Sequence, residues 1–350
     1  MDVFKDVISQ EFHGIHHRDL SSGSLRVIEI LQQAGYEAYL VGGGIRDLLL
    51  GKHPKDFDVA TSAKPAEIQK LFRKSRIIGR RFQIVHVRMG AEIIEVTTFR
   101  GSAENSKLQQ ANASGMLVRD NVFGTVEDDA VRRDFTMNAL YYNPANHEVL
   151  DFVGGYDDLE DGVIRIIGDA ETRYREDPVR MLRAVRFIGK LGLELEEATA
   201  EPIQRLSPLL RDVSPSRLFD EILKLLQAGH GHATFPHLRI HDLLRPLFPQ
   251  THELLEEGDD IHYEELIHLA LRNTDTRLNE GKSVTPAFLY AAMHWPQVHR
   301  RWDELEAEGH GRSQALAIAC SETLDFNQQF IAIPKRFSIT IREIWELQAK

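Results

Sequence analysis

The sequence contains little cysteine and no long hydrophobic segment. Its 350 residues include one cysteine, Cys320, which excludes an internal disulfide and fits a reducing cytoplasm. No apolar run approaches the roughly 20 residues that a membrane-spanning helix needs, and the first residues lack the basic and apolar pattern of a secretory signal. The Gly-x-x-x-x-Gly-Lys-Ser/Thr phosphate loop is also absent, which excludes that class of NTPase. We therefore expect a cytoplasmic protein without a membrane span.

The charge of the chain is negative overall but unevenly distributed. A net charge of −11 argues against a uniformly basic nucleic-acid-binding protein. Residues 71–100 nevertheless carry a net charge of +5, whereas residues 251–310 carry −8. A polyanion would be attracted to the first region and repelled by the second. The alternative is an ordinary solvated surface.

Alternating strand and helix patterns describe the first half of the chain, and helical patterns describe the second. Strands are predicted at residues 38–41, 57–60, 76–78, 82–88, 93–98, 139–142 and 148–151. Helices are predicted at residues 25–34, 45–50, 65–72, 178–191, 198–206 and 216–226. Residues 101–115 show no periodicity and are predicted to form a mobile loop. The fold class is therefore α+β: a flexible N-terminal arm (1–24), an α/β head (25–160), a helical neck (161–230) and a helical body (231–350).

Two aspartates follow a glycine-rich segment in the predicted head. Asp56 and Asp58 are two residues apart, and residues i and i+2 of a strand project from the same face. Two carboxylates on one face suit hard cations such as Mg²⁺, and two such cations about 3.5–4 Å apart support displacement at phosphorus. The glycines ahead of them allow a strand to lead into a helix whose N-terminus faces a phosphate. The pattern favours transfer of a nucleotidyl or phosphoryl group, although Asp-x-Asp is also common in surface turns.

A third carboxylate is needed to complete a site for two metals. The best candidate is Glu95, which interrupts the apolar run 93–96 and would be costly to bury unless it is paired or bound to a cation. A Glu that simply faces solvent is the alternative.

Two further segments combine arginines with carboxylates. In residues 132–138, arginine side chains suit phosphate oxygens, and Asp134 and Asn138 can bind ribose hydroxyls. Asp177, Arg180 and Arg183 are spaced three residues apart, so on one helix they would share a face. An Asp–Arg pair can read the edge of a nucleobase, or it can be an ordinary ion pair within the helix.

Together these motifs resemble the bacterial poly(A) polymerase and CCA-adding family, the class II nucleotidyltransferases of the polymerase-β superfamily. The resemblance covers residues 38–347 and rests on the strings LVGGGIRDLLLG, KDFDVAT, IIEVTTFRG, RRDFTMNALYY, DFVGGYDDL and REDPVRMLRAVRF. It implies a polymerase-β-like nucleotidyltransferase head, a neck with a nucleotide-selecting motif and an RNA-binding body. It also implies ATP and RNA 3′ ends as substrates, and we expect a monomer.

The resemblance also implies a role for each matching residue. Two Mg²⁺ ions would be held by Asp56, Asp58 and Glu95, the three catalytic carboxylates. The nucleotide would be bound by Gly42, Gly43 and Arg46 at the triphosphate, by Asp134 and Asn138 at the ribose, and by Asp177, Arg180 and Arg183 near the base, with Arg217 bracing them. The implied reaction is addition of AMP to RNA without a nucleic-acid template.

Residues 77–87 distinguish the two branches of this family. With two basic residues, Arg80 and Arg81, before Phe82, the segment is similar to the poly(A) polymerase branch, whereas CCA-adding relatives have a less basic segment here. Addition of CCA to tRNA ends is the first alternative, and an RNA-binding protein without catalysis is the second. Members of the poly(A) branch usually continue into a long basic tail, whereas this sequence ends at Lys350, so weaker RNA binding is expected of these residues.

Overall fold

The computed structural model describes residues 5–79, 83–101, 109–111, 117–120, 122–258 and 261–350. The chain divides into two compact units, residues 1–177 and 178–350. The division differs from the predicted head boundary at residue 160. Backbone hydrogen bonds explain the difference, because Thr136 N–H donates to Arg165 O (3.0 Å) and Ile167 N–H donates to Asp134 O (2.9 Å). The segment after residue 160 therefore completes the first unit.

The strands of the described residues lie in the first unit, except for the last one, which lies in the second. They are β1 (Asp6–Ile8), β2 (Ala38–Val41), β3 (Asp58–Thr61), β4 (Ser75–Ile78), β5 (Ile84–Met89), β6 (Glu92–Thr98), β7 (Gln109–Ala111), β8 (Leu117–Asp120), β9 (Leu140–Asn143), β10 (Glu148–Asp151), β11 (Val163–Ile164) and β12 (Glu194–Leu195).

The helices of the first unit in the described residues are α1 (Gln10–His13), α2 (Ser22–Gln33), α3 (Gly43–Leu49), α4 (Pro65–Leu71), α5 (Val126–Arg132), α6 (Gly155–Glu160) and α7 (Ala170–Glu176). Those of the second unit are α8 (Val179–Leu191), α9 (Glu197–Leu206), α10 (Pro215–Leu226), α11 (Gly231–Ile240), α12 (Leu244–Leu247), α13 (Pro249–Glu257), α14 (Ile261–Asn279), α15 (Pro286–Ala307), α16 (Arg312–Asn327) and α17 (Lys335–Gln348). This arrangement confirms the predicted α+β class, with a mixed sheet first and helices after it.

An eight-stranded mixed sheet in the order β1-β10-β9-β2-β3-β6-β5-β4 organises the first unit. The central strand β3 pairs antiparallel with β2 and parallel with β6. Helices α2 and α4 cover one face, on which alternate residues such as Val59, Val85 and Val96 are buried. On the opposite face, Ile93 of β6 is 61% exposed. The sheet therefore leaves part of one face open beside β3.

The N-terminal segment is folded onto this sheet, in contrast to the predicted flexible arm. Strand β1 pairs antiparallel with β10, from Asp6 opposite Asp151 to Ile8 opposite Val149. The buried His13 ring nitrogen Nε2 lies 2.9 Å from His147 O. The polar composition concealed this edge strand, because only Ile8 of β1 is buried and no alternating apolar pattern results.

The predicted mobile loop 101–115 lies mostly outside the described residues. Within it, β7 is described and pairs with β8 in a separate two-stranded sheet.

The second unit is built from packed helices around aromatic side chains. The stacked rings of Phe219 and Tyr290 have centroids 5.6 Å apart, and Phe248 lies against Tyr290 at 6.1 Å. Trp345 of α17 is buried, and its Nε1–H donates to Ala291 O at 3.0 Å. No separate boundary marks the predicted neck from the predicted body, since residues 178–350 form one unit. No helix in the described ranges has the length and hydrophobicity needed to cross a bilayer.

Candidate active site

The glycine-rich turn lies at the end of β2, beside β3. Gly42 has φ 79° and ψ −141°, a conformation that side chains disfavour, and α3 begins at the next residue. A Cβ atom at Gly42 would lie 3.6 Å from Asp58 Oδ2 and 3.7 Å from Arg133 Nη1. A Cβ atom at Gly44 would lie 2.9 Å from Phe57 Cδ1. Glycine at position 42 therefore keeps a small space open between a carboxylate and a guanidinium, and glycine at position 44 leaves room for Phe57.

The two aspartates do not both belong to the strand that the sequence predicts. Asp58 is the first residue of β3 and pairs with Val41, the last residue of β2. Asp56 precedes the strand and is exposed. The ladder ends at this pair because the chain after Val41 turns into α3 and offers no further partner. Asp56 is therefore held by a loop, and the prediction that both residues share a strand face is wrong.

Glu95 lies beside Asp58 on the neighbouring strand. The parallel register places Val59 opposite Val96, so the preceding residues, Asp58 and Glu95, share the opposite face of the sheet. The Glu95 side chain is 49% exposed, and its Oε1 lies 3.3 Å from His86 Nε2 on β5. Glu95 is thus both an exposed Glu and a neighbour of the aspartate.

The pKa of Asp58 is raised by its burial and by the neighbouring carboxylates. Its pKa is raised to about 6, mainly by burial and then by the negative charge of Glu95, with Arg133 opposing the shift and Asp56 adding a smaller increase. Desolvation and like charges both disfavour the ionised carboxyl. The three predicted carboxylates therefore interact electrostatically around Asp58.

The three carboxylates interact, but they do not form a preorganised metal site. Within the described part of the chain, no group of three or more His, Cys, Asp or Glu side chains is arranged to hold a metal ion. The donor set nevertheless fits a hard divalent cation, because it consists of carboxylate oxygens. A cation would also relieve the repulsion that raises the pKa of Asp58.

Three predicted nucleotide-binding residues form one hydrogen-bonded chain. Arg46, only 3% exposed, donates from Nη1 to Asn138 Oδ1 at 2.7 Å. Asn138 donates from Nδ2 to Asp134 Oδ1 at 3.0 Å. Asp47 accepts from Arg46 Nε and Nη2 at 2.8 and 2.5 Å. Arg46 is therefore braced on both sides, and Asp47, which the sequence motif contained but which was given no role, is one of the braces.

A second network centres on Arg133, to which sequence reasoning gave no individual role. Its Nε–H lies 3.0 Å from Asp129 Oδ2 and 2.9 Å from the Tyr141 hydroxyl. Its Nη1 lies 3.4 Å from Asn138 O. The only available signal was the adjacent arginine pair in the string RRDFTMN. Its importance depends on the fold, which brings it to Asp58 and Gly42.

Asp177 does not lie on the helix that carries the two arginines. It ends α7 in an extended conformation, with φ −151° and ψ 93°, and its N–H donates to Arg173 O at 3.2 Å. Helix α8 begins at Val179, after Pro178. The predicted single helical face for all three residues is therefore wrong, because a residue before proline disfavours the helical conformation.

The other predicted nucleotide-binding residues belong to the second unit. Arg180 and Arg183 lie on α8, and the guanidinium of Arg183 is 5.5 Å from the ring centre of Phe187. Arg217 lies on α10, which packs against α8. On α10, the buried Glu221 pairs with Lys224 at 2.9 Å. Arg80 and Arg81, the basic residues that the sequence analysis associates with the poly(A) branch, lie outside the described residues.

Comparisons with family models match three parts of the chain. Residues 38–165 match the poly A polymerase head domain. Residues 192–255 match the probable RNA- and SrmB-binding site of polymerase A, and residues 308–350 match the arginine-rich C-terminus of polymerase A.

Known proteins similar to the chain fall into the same family. Poly(A) polymerase I of Escherichia coli O6:H1 (strain CFT073) is 52% identical over 349 residues, covering 98% of this chain and 75% of that protein. The CCA-adding enzyme of Lactobacillus helveticus (strain DPC 4571) is 38% identical over 217 residues, covering 62% of this chain and 53% of that enzyme. The solved structure of the Bacillus stearothermophilus CCA-adding enzyme in complex with CTP matches with a TM-score of 0.60 and 27% identity, covering 93% and 81% of the two chains. Because the identity to the polymerase extends over nearly the whole chain, this protein belongs to the bacterial poly(A) polymerase family.

Proposed function

We propose that the protein adds AMP from ATP to RNA 3′ ends without a template. The observation that supports this most strongly is the 52% identity to a poly(A) polymerase I over 98% of the chain. The CCA-adding relative is less similar and matches only 62% of the chain. The RNA would be bound in part by the second unit, which contains the segment matching an RNA-binding model.

We further propose that Asp56, Asp58 and Glu95 hold two Mg²⁺ ions. When bound, these ions would lower the pKa of the RNA 3′-hydroxyl and neutralise charge on the phosphates. The raised pKa of Asp58 supports this assignment, because it reflects burial and, after it, the nearby charge of Glu95, at a carboxylate beside a glycine turn.

The surrounding residues would bind and orient the nucleotide. Gly42 leaves room for a phosphate beside β3, and Arg133 provides a positive charge there. The bonds among Arg46, Asn138 and Asp134 fix the turn relative to the ribose-binding motif. Positioning of this kind contributes much of the catalysis of phosphoryl and nucleotidyl transfer. Asp177 and Arg180 are proposed to select the base, on the strength of their match to the family motif.

Addition of CCA to tRNA ends is the second candidate. It is supported by the solved CCA-adding enzyme, whose fold matches 93% of this chain. A primer-extension assay with single nucleotides separates the two activities. We also propose the cytoplasm as the place of reaction, consistent with a single cysteine in the sequence.

Alanine substitutions of the two aspartates test the catalytic assignment. We expect Asp56→Ala and Asp58→Ala each to reduce extension of a labelled RNA with Mg²⁺ and ATP by about 10³-fold or more, since removal of a central catalytic group typically costs this much. Glu148 on β10, a half-buried carboxylate outside the site, provides a control, and Glu148→Ala should extend RNA normally. Near-normal extension by either aspartate variant would contradict the assignment.

A further inference from the structure

Two buried side chains, those of Asp129 and Tyr141, bind the Nε edge of the Arg133 guanidinium. Asp129 of α5 is 2% exposed, and Tyr141 of β9 is fully buried. The Tyr141 hydroxyl donates to Asp129 Oδ2 at 2.7 Å and accepts from Arg133 Nε at 2.9 Å. Asp129 Oδ2 also accepts from Arg133 Nε, at 3.0 Å. Hydrogen bonds to charged partners are the stronger class, so this triangle fixes the arginine firmly.

Asp129 remains charged despite its burial. Its Oδ1 accepts from the backbone N–H of Arg100 at 3.0 Å, and the Arg100 side-chain Nε lies 3.4 Å from the same oxygen. Burial by itself raises the pKa of Asp129, but Arg133 and Arg100 outweigh that effect, and the net pKa is lowered. A buried carboxylate that accepts this many hydrogen bonds is held in one orientation. We call Asp129 and Tyr141 together the anchor of Arg133.

The geometry of the sheet directs the held arginine to the site. Val41 pairs with Asp58 on one side and with Tyr141 on the other, so the three residues form one row on the same face. The Nε edge of Arg133 is occupied by the anchor, and its Nη1 lies 3.7 Å from the position that a Cβ of Gly42 would take. The guanidinium therefore spans the distance from the buried anchor to the glycine turn.

We propose that Tyr141 and Asp129 are positioning residues for the nucleotide: they fix Arg133 over the Gly42 turn, where it meets the triphosphate. The inference rests on the proposed function, because it assumes that this turn binds the phosphates of ATP. Neither residue touches the substrate or transfers a proton; both act through Arg133.

Adjacent tyrosines of β9 provide a matched test. Tyr141 and Tyr142 are both fully buried, and they project from opposite faces. The Tyr142 hydroxyl lies 3.1 Å from His147 Nδ1, away from the anchor. Tyr141→Phe and Tyr142→Phe each remove one buried hydroxyl, and Tyr141→Phe should lose more stability because its hydroxyl bonds two charged groups. For binding of Mg·ATP, the two variants differ in whether the lost hydroxyl contacts Arg133 and Asp129.

The measurement is equilibrium dialysis of Mg·ATP without RNA, together with the melting temperature of each variant. We expect Tyr141→Phe to weaken Mg·ATP binding about tenfold, the effect of losing one hydrogen bond to a charged group. Tyr142→Phe should bind as the unmodified protein does. Unchanged binding by Tyr141→Phe, or equal losses in both variants, would overturn the proposal. Failure of the unmodified protein to bind Mg·ATP would instead refute the proposed function.

A double-mutant cycle tests whether the effect passes through Arg133. Arg133→Lys keeps the charge but loses the planar fork that contacts the anchor. Adding Tyr141→Phe to Arg133→Lys should weaken Mg·ATP binding by no more than Arg133→Lys alone, whereas additive losses would contradict positioning through Arg133. If Tyr141→Phe fails to fold, Asp129→Asn replaces it in the same cycle with the same expected outcome.

Discussion

At the scale of single residues, Asp58 is the carboxyl whose ionisation the fold opposes most clearly. Its pKa in the folded protein is about 6, above the ordinary value of 3.8. A raised pKa means that the folded state binds the proton more tightly, so the stabilisation is complete below pH 3.8 and is lost as pH rises through 6. Above that range, a shift of this size corresponds to about 3 kcal/mol of destabilisation in the metal-free protein.

Asp58→Asn should therefore stabilise the metal-free protein while it abolishes RNA extension. We expect a higher melting temperature at pH 8 in the presence of a chelator, and little difference from the unmodified protein at pH 4, where Asp58 is protonated. Asp56→Asn is the control, because Asp56 is exposed and its removal should change stability by less than about 0.5 kcal/mol. A lower melting temperature for Asp58→Asn at pH 8 would show that the ionised carboxylate does not destabilise the folded protein.

In the second unit, His294 is a residue whose ionisation is likewise opposed by burial. It is 1% exposed, lies among the rings of Phe248 and Tyr290, and burial lowers its pKa to about 3. The stability that this neutral ring contributes is complete above pH 6.5 and is lost as pH falls towards 3, because the unfolded chain then binds a proton that the folded one does not.

His294→Phe should reduce the acid sensitivity of the protein. Between pH 6.5 and pH 5, His294 should cost the unmodified protein about 2 kcal/mol, at about 1.4 kcal/mol per pH unit. The variant lacks this loss, and phenylalanine fits an aromatic environment. Urea denaturation at both pH values gives the comparison, and equal losses in the two proteins would contradict the burial of a neutral His294.

At the scale of elements, periodicity predicts the strands and helices whose faces are buried. The prediction for β2 matches the observed Ala38–Val41, and that for β10 matches Glu148–Asp151. Patterns fail where neighbours decide the structure. The start of β3 depends on where β2 ends, the edge strand β1 depends on pairing with β10, and Pro178 separates α7 from α8.

The same limit applies to the site. The motifs identify Asp58, Glu95 and Gly42 by residue type and spacing. They do not reveal that Arg133 reaches the glycine turn, because residues 42 and 133 come together only when β2 and β9 pair. Contacts between segments distant in the chain are set by strand order, which no local pattern records.

The turn after β2 gives a prediction at this scale. Gly42→Ala should lower the free energy of unfolding by about 1–2 kcal/mol, because alanine is strained at this positive φ. It should also weaken Mg·ATP binding, because its methyl group would enter the space beside Asp58 and Arg133.

Gly35 provides the matched control for that prediction. It too has a positive φ of 85°, but a Cβ atom there would have no neighbour within 4 Å. Gly35→Ala should therefore lose stability without losing Mg·ATP binding. Equal effects of both substitutions on binding would mean that strain, and not the site, is responsible.

At the scale of the whole molecule, the family is clear and the relatives that match nearly the whole chain are poly(A) polymerases. The fold is similar to that of a CCA-adding enzyme, with a TM-score of 0.60. Both the level and the extent of sequence identity separate the two kinds of relative: 52% over 98% of the chain for the polymerase, and 38% over 62% for the CCA-adding enzyme.

Primer extension with single nucleotides tests the central proposal most directly. The protein would be incubated with Mg²⁺, one NTP at a time, and either a generic labelled RNA or a tRNA lacking its 3′ end. We expect long tails with ATP alone on the generic RNA, and little extension with CTP, GTP or UTP. Extension of the tRNA that requires CTP and stops after C-C-A, with no tailing of the generic RNA, would contradict poly(A) addition.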